Sequence, residues 1–134
     1  MRVAVHPRLY DPSFDDPLLA GTECRECGRV YFPPMGLGCE NCGAAADKLT
    51  ETRFTATGVV FAVADVAVPA QGGPFTIAEI VLDAGPLIRI SVHPDSATVR
   101  IGDRVTGHWH RSRRQEAGAD LVEPMAVLVS GETA

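Results

Sequence analysis

The second half of the chain shows the alternation of apolar and polar positions that is typical of β-strands. From Leu87 to Val92, isoleucine or valine occupies every second position, which indicates a half-buried strand. Other runs rich in β-branched residues are bounded by glycine, proline or polar residues. Together they predict five strands, at residues 53–68, 75–82, 87–92, 104–111 and 121–129.

Turns separate these runs, at 69–74 and 83–86 among others, and a polar loop is predicted at 112–120. Gly58, inside the long first run, predicts a bulge or a sharp bend. Five short strands with a long, bent first strand fit a small closed or partly open barrel, of which the OB fold is the most common. Periodicity alone leaves an SH3-like barrel or a small sandwich open.

Composition divides the chain into three parts. Residues 1–22 are rich in proline and aspartate, which predicts an irregular arm with room for one short helical turn. Residues 23–50 hold all four cysteines, and residues 51–134 hold the predicted barrel. We therefore expect an arm, a small cysteine-rich unit and a barrel, with these boundaries.

The cysteines form two C-x-x-C-G units, and eleven residues lie between the two pairs. Each unit places two sulfurs on one side of a tight turn, and the glycine accepts the positive φ that directs backbone N–H groups toward them. Two such turns facing each other form a tetrahedral cage of four sulfurs, the pattern of a zinc ribbon. The predicted ligands of a closed, structural zinc site are Cys24, Cys27, Cys39 and Cys42.

Other uses of the four cysteines stay open. Iron accepts the same four-sulfur geometry, as in rubredoxin. Disulfides require an oxidising compartment, and a redox-active pair requires a βαβ setting that the pattern does not predict. The chain begins with no apolar run of signal-peptide length, and no stretch reaches the ~20 residues of a spanning helix. We therefore expect a cytoplasmic protein with reduced thiols.

The charge balance disfavours one class of partner. The chain has 12 basic and 17 acidic residues, a net charge of −5, and 6% aromatic residues. Non-specific nucleic-acid binding needs a basic surface, and single-strand binding needs aromatic stacking platforms. These values disfavour a nucleic-acid-binding module, which stays open as the alternative to the main functional hypothesis given below. Four arginines within eleven residues would nevertheless suit phosphate groups, or form a solvated loop: Arg104, Arg111, Arg113 and Arg114.

The rest of the chain carries no catalytic motif. It lacks the G-x-S-x-G, Walker A, G-x-G-x-x-G and H-E-x-x-H patterns. His108 and His110 fall on one face of a strand, as half a metal site or as a solvated face, and Trp109 points the other way, toward the core or an interface. The acidic pair at 15–16 lies in the arm, where both carboxylates stay ionised. We therefore expect no catalytic residues and no enzyme activity.

Three short segments of the sequence resemble segments found in one protein family. They are Tyr31-Phe32-Pro33-Pro34 after the first cysteine pair, Leu82-Asp83-Ala84-Gly85, and Ile101-Gly102-Asp103-Arg104-Val105. Over about residues 20–129, the chain resembles the rubredoxin-like zinc-ribbon and OB-fold proteins that accompany thiolase-like enzymes, often called acyl-CoA-associated OB-fold proteins. The short, proline-rich arm departs from the helical arm of many members. Glu40 stands where the second cysteine turn commonly has proline.

The resemblance implies a mainly β protein, with an N-terminal rubredoxin-like zinc ribbon followed by a five-stranded OB-fold barrel. It also implies a non-catalytic subunit of a hetero-oligomer. The implied partner is a thiolase, a lipid-transfer-type aldolase, a ketosynthase-like enzyme or a MaoC-like hydratase. The subunit would stabilise this enzyme and help to bind or channel acyl-CoA, in lipid or steroid side-chain metabolism. We expect contacts with the partner or with CoA at Phe32, Pro33, Pro34, Trp109, Arg111 and Arg113.

Overall fold

A computed structural model describes residues 2–67, 74–116 and 119–129 of the chain. Strands dominate these ranges, which contain one short 3-10 helix at Ala46–Lys48 and no α-helix. The strands are β1 (Arg2–Ala4), β2 (Leu18–Cys24), β3 (Val30–Tyr31), β4 (Leu49–Thr55), β5 (Gly58–Val66), β6 (Phe75–Leu82), β7 (Leu87–Ser91), β8 (Arg104–Glu116) and β9 (Ala119–Leu128). The predicted mainly β class is confirmed.

Five strands close into a barrel. Six strands form one sheet in the order β1-β9-β8-β5-β6-β7. A parallel bridge between Val92 and Ala126 joins the end of β7 to β9, and the His93 N–H donates to the Ala126 carbonyl at 2.8 Å. The ring β5-β6-β7-β9-β8 therefore closes, as predicted for an OB fold. Its interior is filled by side chains that are at most 2% exposed: Val60, Ala78, Ile80, Val105 and Ala126.

The second sheet surrounds the cysteines. Strand β2 pairs antiparallel with β4 over its whole length, from Leu18 opposite Thr55 to Cys24 opposite Leu49. The short β3 pairs with the other edge of β2. This sheet thus takes residues from each of the three predicted segments, 1–22, 23–50 and 51–134. The division of the chain at these boundaries stays a prediction.

The run 53–68, predicted as one long strand, is two strands in two different sheets. The break precedes Gly58, where β5 begins. A Cβ atom added to Gly58 would lie 2.1 Å from the carbonyl oxygen of Val81, so glycine is required here by the close approach of β6. The sequence predicted a bulge or a sharp bend at Gly58. The chain bends at Ala56, just before this glycine, and a bulge follows between Val60 and Ala62.

The stretch 112–120, predicted as a polar loop, consists largely of strand. Strand β8 continues to Glu116 and β9 begins at Ala119, with a register shift between Arg111 and Gln115. Backbone pairing between β8 and β9 forms this extension, and such pairing needs no apolar alternation. The sequence pattern therefore could not distinguish it from a loop. Residues 69–73 of the turn predicted at 69–74 lie outside the described residues.

The arm is more regular than predicted. Strand β1 pairs parallel with β9, which places Val3 opposite Leu121. Tyr10 is 5% exposed, and its ring centroid lies 5.7 Å from that of Trp109. The Tyr10 hydroxyl accepts a hydrogen bond from the His6 N–H at 3.1 Å. A three-residue strand is too short to show alternation, so no sequence pattern predicted that the arm packs on the barrel.

The contact at Gly58 leads to a stability prediction. We expect Gly58→Ala to lower the free energy of unfolding by about 1–3 kcal/mol, because the added methyl group overlaps backbone atoms that cannot move aside. Gly36→Ala is the matched control, since a Cβ at Gly36 meets no atom within 4 Å. Denaturant unfolding of both variants measures the difference, and equal stability would contradict the packing constraint.

Burial of Tyr10 predicts a loss of stability at high pH. Burial raises the pKa of Tyr10 to about 12, against the opposing hydrogen bond from His6 and with a smaller contribution from the Glu123 charge. The folded state thus holds the phenol proton more tightly than the unfolded state. Its contribution to stability is complete below about pH 10 and is lost as pH rises to about 12.

Comparison with Tyr10→Phe isolates this contribution. We expect the wild-type chain to lose about 2 kcal/mol more unfolding free energy than Tyr10→Phe between pH 10 and pH 12. Denaturant unfolding at fixed temperature measures both proteins. Parallel pH profiles would mean that Tyr10 ionises freely in the folded chain.

Candidate metal centre

The two cysteine turns have the same backbone geometry. The Gly28 N–H donates to the Cys24 carbonyl at 2.8 Å, and the Gly43 N–H donates to the Cys39 carbonyl at 2.9 Å. Gly28 and Gly43 have φ angles of 81° and 80°, in the left-handed region that residues with a Cβ rarely adopt. The glycine in each C-x-x-C-G unit is therefore required by the turn, as the sequence predicted.

The four cysteine sulfurs form one cluster. All four lie within 4.8 Å of one another. The Sγ atoms of Cys24 and Cys42 are 3.6 Å apart, and so are those of Cys27 and Cys39. Tetrahedral zinc–thiolate bonds of about 2.3 Å imply sulfur–sulfur distances of about 3.8 Å. The four thiols therefore fit a tetrahedral metal ion, and no disulfide joins them.

The cluster lies at the surface of the ribbon sheet. Cys24, at the end of β2, and Cys39 are buried, whereas Cys27 and Cys42 are exposed. A site with four protein sulfurs leaves no coordination position for water or substrate. A metal bound here would therefore cross-link the chain and would not act on a substrate.

Two polar side chains point at the sulfurs. The Tyr31 hydroxyl lies 3.2 Å from the Cys39 Sγ and, by donating to it, lowers the pKa of Cys39 to about 6. The Asn41 amide lies 3.5 Å from the Cys27 Sγ and lowers the pKa of Cys27. Both donors favour the thiolate form, which is the form that binds a metal. The sequence analysis missed these roles, although Tyr31 belongs to the phrase that carried the family resemblance.

Of the three consecutive residues predicted to contact a partner, Phe32 is partly buried, whereas Pro33 and Pro34 are exposed. The Phe32 ring packs edge-on against Phe54, with centroids 6.2 Å apart. Pro33 and Pro34 are exposed and line an open cleft of about 410 Å³ together with residues 6–9 of the arm. Phe32 thus anchors the segment on β4, while the two prolines are exposed. Their predicted contact with a partner stays a prediction.

Trp109 contacts the arm. Its indole N–H donates to the Phe14 carbonyl at 2.9 Å, and the guanidinium of Arg2 lies 5.4 Å from its ring centroid. With Tyr10 on the same ring, Trp109 is half-buried between the arm and the barrel. Its predicted role in partner binding stays a prediction.

The structure does not gather the arginine cluster into one site among the side chains it describes. Arg104 forms a salt bridge with Asp83, and Arg111 forms one with Asp120 at 3.5 Å. The side chains of Arg113 and Arg114 lie outside the described residues. Contacts of Arg111 and Arg113 with CoA stay a prediction.

The histidines of β8 have different environments. His108 is exposed, whereas the His110 ring packs edge-on against His93 with centroids 5.2 Å apart. Among the described residues, the four cysteines are the one group of three or more histidine, cysteine or acidic side chains close enough to share a metal. The predicted solvated face therefore holds for His108, and His110 is partly covered.

The segment that holds the four cysteines is similar to a known zinc-ribbon domain. Residues 15–47 match the family model described as the rubredoxin-like zinc ribbon domain of ChsH2. The resemblance inferred from the sequence is thereby confirmed. The chain is also 29% identical, over 111 residues, to a DUF35 domain-containing scaffold protein of Methanothermobacter thermautotrophicus, and the match covers 78% of this chain and 79% of that protein.

A solved structure has the same fold. The structure of the Ltp2-ChsH2(DUF35) aldolase matches with a TM-score of 0.60 and 22% sequence identity. The match covers 82% of this chain and 84% of the compared chain. The likeness therefore extends beyond the zinc ribbon to most of the molecule.

Membrane-spanning helices are absent from the described residues. Their one helical segment has three residues, far fewer than a span of the bilayer needs.

The ribbon geometry predicts the result of removing a ligand or a donor. We expect Cys39→Ser to lower metal affinity by more than about 100-fold, because it removes one of four thiolates and opens a coordination position to water. Tyr31→Phe should retain one metal per chain with about 10- to 100-fold lower affinity, since it removes only the hydrogen bond to Cys39.

Competition with a chelator that changes colour on binding metal measures both affinities. Limited proteolysis reports whether the ribbon opens while the barrel persists. A metal affinity of Cys39→Ser equal to that of the wild-type chain would show that the four sulfurs do not act as one site.

Proposed function

We propose that this chain is a non-catalytic accessory subunit of an acyl-CoA-processing enzyme. The observation that carries the proposal is the closed four-cysteine centre, which can stabilise a fold but offers no position for a substrate. The fold shared with a chain of the Ltp2-ChsH2(DUF35) aldolase supports an enzyme partner. The relative named as a scaffold protein supports a role in assembly.

We further propose that the resident metal is zinc. A zinc ion has no redox chemistry and accepts four thiolates without preference for another geometry, which suits a purely structural centre. On this chain, Tyr31 and Asn41 would hold the thiolates in place, and the exposed Cys27 and Cys42 would depend on the metal for a fixed position. The family match of this segment to a zinc ribbon supports the same assignment.

The partner is proposed to be a thiolase, a lipid-transfer-type aldolase, a ketosynthase-like enzyme or a MaoC-like hydratase. Pro33 and Pro34 are a suitable docking element, because they are exposed and rigid and are anchored by Phe32 on β4. Arg111 is largely exposed despite its salt bridge with Asp120, so it remains able to meet a phosphate group of CoA. A role in lipid or steroid side-chain metabolism would follow from the identity of the partner.

Affinity purification from the native cells tests this function. We expect the tagged chain to retain a thiolase-like or hydratase-like enzyme in near-stoichiometric amount after nuclease treatment. Replacing Pro33 and Pro34 together by aspartate should lower recovery at least about tenfold, because two charges would be buried in the interface. Pro94→Asp, at an exposed turn elsewhere, is the matched control and should leave recovery unchanged.

Mass spectrometry identifies and quantifies the retained protein. The chain alone should turn over no acyl-CoA, whereas the complex should. Recovery of nucleic-acid machinery in place of such an enzyme would overturn the accessory-subunit function, as would turnover by the isolated chain.

A further inference from the structure

Strand β5 leaves part of one edge open. At its beginning it pairs with β8, and Val60 then exchanges hydrogen bonds of 2.9 Å with the Asp103 carbonyl and the Gly102 N–H. From Ala62 to Val66, β5 pairs with β6 on one side and, among the described residues, with no strand on the other. Within the ranges that the structure describes, five residues of the strand therefore have an edge that no other strand covers.

The alternation of the antiparallel ladder identifies the main-chain groups at this edge. The Thr76 carbonyl accepts a hydrogen bond from the Val92 N–H at 2.8 Å, so the main chain of Thr76 is directed away from β5. Its partner in register, Asp65, then points its N–H and C=O groups away from β6, toward the open edge. Val63, opposite Ala78, does the same two residues earlier.

The open edge is also apolar and exposed. Phe61 is 62% exposed and Val63 is 39% exposed. The run 61–67, Phe-Ala-Val-Ala-Asp-Val-Ala, has a single charged side chain, and Asp65 accepts a hydrogen bond from the Thr76 hydroxyl at 2.8 Å. Soluble proteins usually protect such edges with lysine, proline or a covering segment. The run 61–67 contains no lysine and no proline, so another strand can pair with its edge.

We propose that a second copy of this chain pairs with this edge, antiparallel, about a twofold axis at Ala64. In that register Val63 of each copy lies opposite Asp65 of the other. These are the two residues with outward main-chain groups, so the copies would exchange four hydrogen bonds.

The side chains of the run are complementary in the same register. Phe61 of each copy would lie opposite Ala67 of the other, which leaves room for the ring. Ala64 would face Ala64 where the strands approach most closely, and no like charges would oppose each other. This self-complementarity favours a second copy over a strand of another protein. The inference does not depend on the proposed accessory function.

The contact is expected to be weak. Five residues from each copy form a smaller interface than the about 800 Å² per partner of stable complexes. We therefore expect a reversible dimer that forms at concentrations on the order of 10–100 µM, the range of transient contacts.

Charge reversal at the axis tests the proposal with the full-length chain. We expect Ala64→Asp and Ala64→Lys each to weaken dimerisation about fivefold or more, because like charges would face each other across the axis. An equimolar mixture of the two variants should recover dimerisation, since aspartate would then face lysine. Ala97→Asp and Ala97→Lys, at another exposed alanine, should behave as the wild-type chain does. Sedimentation velocity over a concentration series measures each case.

A second pair of variants tests the main-chain contact. Val63→Pro removes an outward N–H group but spares the hydrogen bonds to β6, whereas Val63→Thr keeps the N–H group and the branched shape. We expect loss of the dimer for proline and a wild-type dimer for threonine, with circular dichroism confirming that both variants fold.

A monomer at every concentration would overturn the proposal, and so would a dimer indifferent to the charges at 64 or to proline at 63. Protection of the Val63 and Asp65 amides from hydrogen exchange in the monomer would overturn it too, because the edge would then be covered within one chain.

Discussion

The contact among four cysteine sulfurs is the constraint on which the N-terminal half of the molecule depends. Between residues 25 and 48, Cys39 is the one buried residue, so this segment has no apolar core. A segment of this size cannot bury enough apolar surface to offset the entropy of ordering its chain. A metal on the four sulfurs would supply the missing free energy, on the order of 10 kcal/mol in small zinc ribbons. Cys24, at the end of β2, connects this cross-link to the β2–β4 ladder.

The ribbon sheet and the barrel are joined through the arm. Phe14 contacts both, because its ring lies 5.7 Å from the guanidinium of Arg53 on β4 and its carbonyl accepts the Trp109 indole N–H from β8. Arg2 adds hydrogen bonds to the carbonyls of Pro12 and Phe14 while it stacks on Trp109. These contacts orient the ribbon on the barrel. A partner that docks on Pro33 and Pro34 would therefore meet a surface fixed relative to both sheets.

The cysteine cluster and most of the exposed apolar residues lie in different parts of the molecule, which suits the proposed accessory role. A metal bound by all four sulfurs would use the cluster fully in holding the ribbon. Exposed apolar residues lie at the proline pair beside the arm and along the open edge of β5. Others are Leu37 in the ribbon and Leu87 and Ile101 on the barrel. In the proposed accessory role, one of these surfaces can bind an enzyme while the other surfaces stay exposed.

The four-cysteine cluster and the class of fold could be predicted from the sequence, because both depend on short-range patterns. Each C-x-x-C-G turn involves five consecutive residues, and strand alternation is visible within six or seven. The points where the strands divide depend on long-range packing, as at Gly58, where β6 approaches from more than twenty residues away. Long-range packing also decided the closure between Val92 and Ala126 and the donation from Trp109 to Phe14, 95 positions apart. Such contacts pair residues that no local pattern relates, so they exist only once the chain has folded.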